Sequence, residues 1–95
     1  LNQNLGSNDF NSKEWLIYPN PFHDYINIKS LSEYYGQDCS FKITNQFGQI
    51  IIEGPLNFID RTIKLKLSTL NIGLYIITIK TKNKQDSFKL LKGSI

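Results

Sequence analysis

Alanine, valine and methionine are missing from these 95 residues, and cysteine, histidine, arginine and tryptophan occur once each. Helical bundles lean on alanine as the best helix former and on methionine as a filler, so their absence argues against a helical fold. A single cysteine, Cys39, excludes an internal disulfide and any cysteine-based zinc cluster. One arginine, Arg61, and the lack of an RNA-binding aromatic motif speak against nucleic acid as a partner. The longest apolar runs, Trp15–Tyr18 and Leu74–Ile77, hold four residues. A membrane-crossing helix needs roughly 20, so no membrane span is expected. The sequence begins at Leu1 with neither methionine nor a signal-type apolar stretch, and reads as a piece of a longer protein.

What is present points one way. There are 14 isoleucines and 11 leucines beside 10 asparagines and 10 lysines, a skew typical of an AT-rich genome. With 40% hydrophobic, 20% charged and 13% aromatic residues, the composition is that of one folded domain. Isoleucine and aromatics suit a pleated surface, which favours an all-β fold. The net charge of +3 is unevenly spread. Residues 1–60 carry three lysines against seven acids, while residues 61–95 carry eight basic residues against one acid. Such polarity suits an acidic partner, or simply a lysine-rich solvent face.

Residues 1–13 are polar and without period, and read as a linker. A short edge strand over Glu14–Tyr18 ends at Pro19-Asn20-Pro21, which cannot sit inside a ladder. Alternation then predicts strands over Tyr25–Lys29, Cys39–Thr44, Gln49–Glu53, Arg61–Leu67, Leu74–Thr81 and Ser87–Lys92. Ile50, Ile51 and Ile52 in succession predict a strand covered on both faces. Turn chemistry falls between them: Asn45-Gln46-Phe47-Gly48 as a tight hairpin, Gly54-Pro55 as a stop, Asn71-Ile72-Gly73 as a bend, and Asn83–Asp86 as a polar loop. Seven short strands at about 10-residue spacing predict an immunoglobulin-like antiparallel β-sandwich, with a small barrel as the alternative.

Few residues invite chemistry. His23 lies among prolines with no nucleophile close in sequence, and Cys39 alternates with Phe41 and Ile43 as a buried thiol. Asp24, Asp38, Asp60 and Asp86 lack the spacing of a calcium loop, so no metal or cofactor is expected and no catalytic residue is assigned. The lysines carry the sharper hypothesis. Lys80, Lys82 and Lys84 alternate, Lys89 and Lys92 lie on the next strand, and Lys64 and Lys66 could extend one basic surface. Tyr18–Pro21 is either a docking edge or a rigid lid over a sheet edge. Gly48 and Gly73 are expected at positive φ, and Tyr75 in the core with its hydroxyl at the rim.

Tyr18-Pro19-Asn20-Pro21, Asn45-x-x-Gly48-Gln49, Leu70-x-x-Gly73-x-Tyr75 and the closing Phe88-Lys89-Leu90-Leu91-Lys92, in that order, resemble the type A C-terminal sorting domain of the Bacteroidetes type IX secretion system. The likeness spans about residues 14–93, with 1–13 as the linker to an upstream cargo and 14–95 as the sorting domain. It implies a non-catalytic secretion signal on a cargo in transit through the periplasm. The partners it implies are the outer-membrane type IX translocon and a sortase-like protease, and the destination is the cell surface or the medium. It attributes recognition to the last part of the domain, which includes Gly73, Tyr75, Lys89 and Lys92; the basic set adds Lys80 and Lys82. Cleavage is expected in the linker, at the small-residue pair Gly6-Ser7.

A second class remains open at this point. Trp15, Tyr25, Tyr34 and Tyr35 could leave some rings outside the core, as in a carbohydrate-binding or adhesive sandwich of a secreted enzyme.

Overall fold

The alternating segments become seven strands: β1 (Trp15–Tyr18), β2 (Tyr25–Ser30), β3 (Ser40–Asn45), β4 (Ile50–Pro55), β5 (Thr62–Lys66), β6 (Gly73–Lys80) and β7 (Gln85–Lys92). They come from a computed structural model that describes residues 14–31, 39–58, 60–82 and 84–94. The linker 1–13 with Gly6-Ser7, the residues Tyr34, Tyr35 and Asp38, and Asn83 lie outside the described residues. Antiparallel pairing builds a three-stranded sheet, β1-β2-β5, and a four-stranded sheet, β4-β3-β6-β7. The two sheets stay separate, so the sandwich forms and the barrel does not.

Period-two alternation decides which residues meet between the sheets. One sheet supplies Trp15, Ile17, Ile26 and Ile28; the other supplies Phe41, Ile43, Tyr75, Ile77, Ile79, Phe88 and Leu90, all buried. Each such side chain contributes about 1.5–3 kcal/mol by leaving water. Trp15 is fully buried and stacks on Phe58 at 5.7 Å between ring centroids. That removes it from the set of rings expected at the surface. Cys39 is buried on the same side as Phe41 and Ile43, as its alternation suggested.

Two local expectations change. β4 is an edge strand, not one covered on both faces, and Ile50 and Ile51 are exposed. The register steps from Ile43↔Ile52 to Thr44↔Ile50, which leaves Ile51 as the extra residue of a bulge. Three isoleucines in a row thus reflect a bulged edge. The last hairpin is also tighter than a loop over 83–86. Lys80 pairs with Gln85, and the Thr81 N–H donates to the Lys84 carbonyl at 2.8 Å. β7 gains two residues, Gln85 and Asp86, at its start.

Candidate functional site

β7 is the outer strand of its sheet, so one row of its backbone groups faces away from β6. The segment after β1 covers the second half of that row. The Asn20 side chain works as a one-residue strand: its Nδ2 donates to Lys89 O at 2.9 Å, and the Leu91 N–H donates to its Oδ1 at 2.9 Å. Phe22 continues as backbone, with its N–H donating to Leu91 O and its carbonyl accepting from Gly93 N–H. The Tyr18–Pro21 motif is therefore the lid over an edge, the second of the two readings open in the sequence.

Lys92 completes this latch. Its side chain points inward and is only 8% exposed, and Nζ donates to the carbonyls of His23 and Leu67 while lying over the Phe22 ring. A buried ammonium needs such acceptors, because desolvation without them is costly. His23 Nδ1 lies 3.1 Å from Gly93 O, and the Leu67 N–H donates to Asp24 O. One end of the sandwich is thereby tied across both sheets. Lys92 is a strut in that tie and not part of an exposed basic surface.

The other motif positions are equally local in their physics. Asn45 Oδ1 accepts from the N–H groups of Phe47 and Gln49, its Nδ2 donates to Gln49 Oε1, and Gly48 turns the chain at φ +83°. Gly73 has φ +153°, a conformation that strains any L side chain. Two residues later the Tyr75 ring is buried, and its hydroxyl donates to Asn71 O at 2.7 Å. That tie from a strand's start back to the bend before it resembles the tyrosine corner of immunoglobulin-type sandwiches.

The outward face of the four-stranded sheet carries a sorted set of side chains. The register lays it out in rows. At one end Leu74 stands opposite Leu91, and the next row runs Ile50, Thr44, Ile76, Lys89. Further along come Glu53, Lys42, Thr78, Ser87, and then Pro55, Ser40, Lys80, Gln85. Apolar residues thus collect at the end where β6 starts and β7 finishes, with Leu74 42%, Ile76 36% and Leu91 46% exposed. Phe47 and Ile72 project from turns at the same end and are still more exposed. Between the lid and this face lies a groove of about 230 Å³ lined by Asn20, Pro21, Leu74, Lys89 and Leu91. A broader depression of about 450 Å³ at the other end is lined by polar groups that include Lys42, Glu53 and Lys80.

The structure divides the lysines that the sequence grouped. Lys80 and Lys89 point out from the four-stranded sheet, while Lys64 and Lys66 point out from the three-stranded one on the opposite side. Strand β6 ends at Lys80, so Lys82 stands on the exposed turn, and Lys84 pairs with Glu14 at 2.6 Å. No single basic surface joins them all. The apolar end was missed from sequence, although a signal existed. In Leu74–Ile79 both parities are largely apolar, so if Tyr75, Ile77 and Ile79 fill the core, Leu74 and Ile76 must lie outside it. Among the described residues no three His, Cys, Asp or Glu side chains are grouped to hold a metal, and no helix is long and apolar enough to cross a membrane.

Comparison with known proteins bears on both fold and family. A DUF3244-family protein from Bacteroides vulgatus ATCC 8482, whose crystal structure is described as an immunoglobulin-like β-sandwich, matches with a TM-score of 0.69. The match covers 84% of this chain and 85% of that one at 13% identity, so it speaks for the fold alone. No curated protein matches. The family model for the secretion system C-terminal sorting domain matches residues 16–92, from inside β1 to the last residue of β7. This chain belongs to the family of type IX secretion system C-terminal sorting domains.

Proposed function

We propose that the domain is a non-catalytic export signal, which brings a periplasmic cargo in the same chain to the outer-membrane type IX translocon. The observation that carries this is the family match from β1 through β7, which takes in the edge lid, both turn motifs and the closing strand. In this reading Gly73, Tyr75 and Lys92 serve recognition by holding β6 and β7 in place, while Lys80, Lys82 and Lys89 stand at the surface that a partner meets. Cleavage by a sortase-like protease falls in the linker near Gly6-Ser7, and the cargo ends at the cell surface or in the medium. The carbohydrate-binding alternative loses its largest ring, because Trp15 is buried. Tyr25 has the Lys64 ammonium over its face at 4.3 Å, which occupies a surface a sugar would need.

The test is export. Residues 1–95 are fused behind a fluorescent protein with a periplasmic signal, in hosts with and without a working type IX translocon. Translocon-dependent release, lost when residues 87–95 are deleted, is the expected result. A folded reporter held in the periplasm of the competent host would sink the reading.

A further inference from the structure

We infer that the apolar end of the outward β6–β7 face is the docking site for an extended, acidic protein segment of the export machinery. The segment would place one large apolar side chain in the groove between Pro21 and Leu91. This deepens the proposed export role and rests on it.

The groove has the form of a side-chain receptor. Its floor is Leu74 and Leu91, and its wall is Pro21 and Asn20. The wall is rigid, because Asn20 is held at two points on the β7 backbone and Lys92 fastens the chain just beyond Pro21. A preformed cavity loses little entropy when it is filled. Its volume of about 230 Å³ accommodates one leucine- or phenylalanine-sized side chain.

Charge selects the kind of segment. Lys89 flanks the groove, and Lys80 stands on the same outward face four residues from Ile76 along β6. At the strand rise that separation is about 14 Å. Lys42 lies on the neighbouring strand, in the row between Ile76 and Lys80, and Glu53 is the one acid among the outward residues of these rows. A strand-like peptide with its apolar residue in the groove and carboxylates a few positions along would match this order.

Two other occupants fit less well. Two copies meeting face to face would set lysine against lysine. A bilayer wants its cations beside the inserted apolar groups, whereas here Lys89 alone lies beside them and Lys42 and Lys80 sit towards the far end from Phe47, Ile72, Leu74 and Leu91. The principal apolar contact is also a groove, and a flat lipid surface cannot enter one.

The fusion described above supplies the test, with Leu74→Ser/Leu91→Ser as one variant and Lys89→Glu as a second that spares every apolar group. Each is expected to cut the exported fraction roughly tenfold, the size of loss typical of a central anchor. Thermal unfolding of the purified domain should stay near that of the parent. Lys64→Glu/Lys66→Glu on the opposite sheet should export normally. A photo-cross-linker at position 91 should capture one envelope protein through an acidic stretch, and one at position 64 should not. Export of both groove variants at the parental level would overturn the inference while leaving the sorting role intact. So would groove-dependent binding to phosphatidylglycerol vesicles without a protein adduct, or groove-dependent dimerisation in sedimentation. A parent fusion that fails to leave the periplasm would instead overturn the sorting role itself.

Discussion

The two outer faces of this sandwich keep very different company with water. The three-stranded sheet shows Asn27, Lys29, Thr62, Lys64 and Lys66 beside Leu16 and Tyr18 on β1, with Tyr25 lying under a lysine. The four-stranded sheet shows Leu74, Ile76, Leu91 and Ile50 at one end, and lysines mixed with hydroxyls at the other. Both faces belong to one small domain with one core, so folding does not explain the difference. A solvent face needs only charge, whereas grouped exposed aliphatic side chains mark a surface that meets another molecule. The contrast also separates two jobs within β7. Its inward side chains and its edge are committed to the fold, and its outward side chains are exposed.

Five variants test this contrast, taken in order of decreasing effect on stability. Ile77→Ala removes a fully buried side chain that stands between Ile43 and Phe88 in the ladder. It should cost about 2–5 kcal/mol in denaturant unfolding, and both outer faces should be lost together. Lys92→Met keeps the length but takes the ammonium donor from the His23 carbonyl and leaves the Leu67 carbonyl with the Leu70 N–H. A loss of about 1–3 kcal/mol is expected, with a fall in Tm of about 4–8 °C per kcal/mol. If Lys92 acts instead only as a surface charge, calorimetry will show no change.

Asn20→Ala uncovers the β7 edge at Lys89 O and Leu91 N–H. Stability should fall by about 1–2 kcal/mol. Hydrogen exchange should report selective loss of protection at the Leu91 amide. The smallest stability effect separates the faces most cleanly. Leu74→Ser/Leu91→Ser and Lys64→Glu/Lys66→Glu should each cost no more than about 1 kcal/mol, the scale of one cross-strand pair. Only the first should lower the binding of a hydrophobic dye to the folded domain. Equal dye binding by the two would erase the distinction between the faces.

The positions that make the family recognisable turn out to be architectural. Asn20 closes an edge, Asn45 and Gly48 shape a hairpin, Gly73 and Tyr75 make a corner, and Lys92 bolts the chain across the end of the sandwich. Under the export role proposed above, Gly73, Tyr75 and Lys92 act through the geometry of β6 and β7. Each had a readable cause in the sequence except Lys92 and Asn20, whose partners lie about 70 residues away along the chain. Lysine on a strand reads as solvent-facing until something at the strand's end offers carbonyls.

Local pattern alone set the seven strands and most of the turns between them, because alternation and the φ demands of Gly48 and Gly73 act within a few residues. It also determined that Tyr75, Ile77 and Ile79 share a face. What each face meets depended on long-range pairing. Strand order put β4 at an edge and exposed its isoleucines, and it sent Lys64 and Lys66 to the side opposite Lys80 and Lys89. The closing of one end drew Lys92 inside. These outcomes depend on which distant segments pair, and pairing is settled by packing across the whole sandwich, which no local pattern encodes.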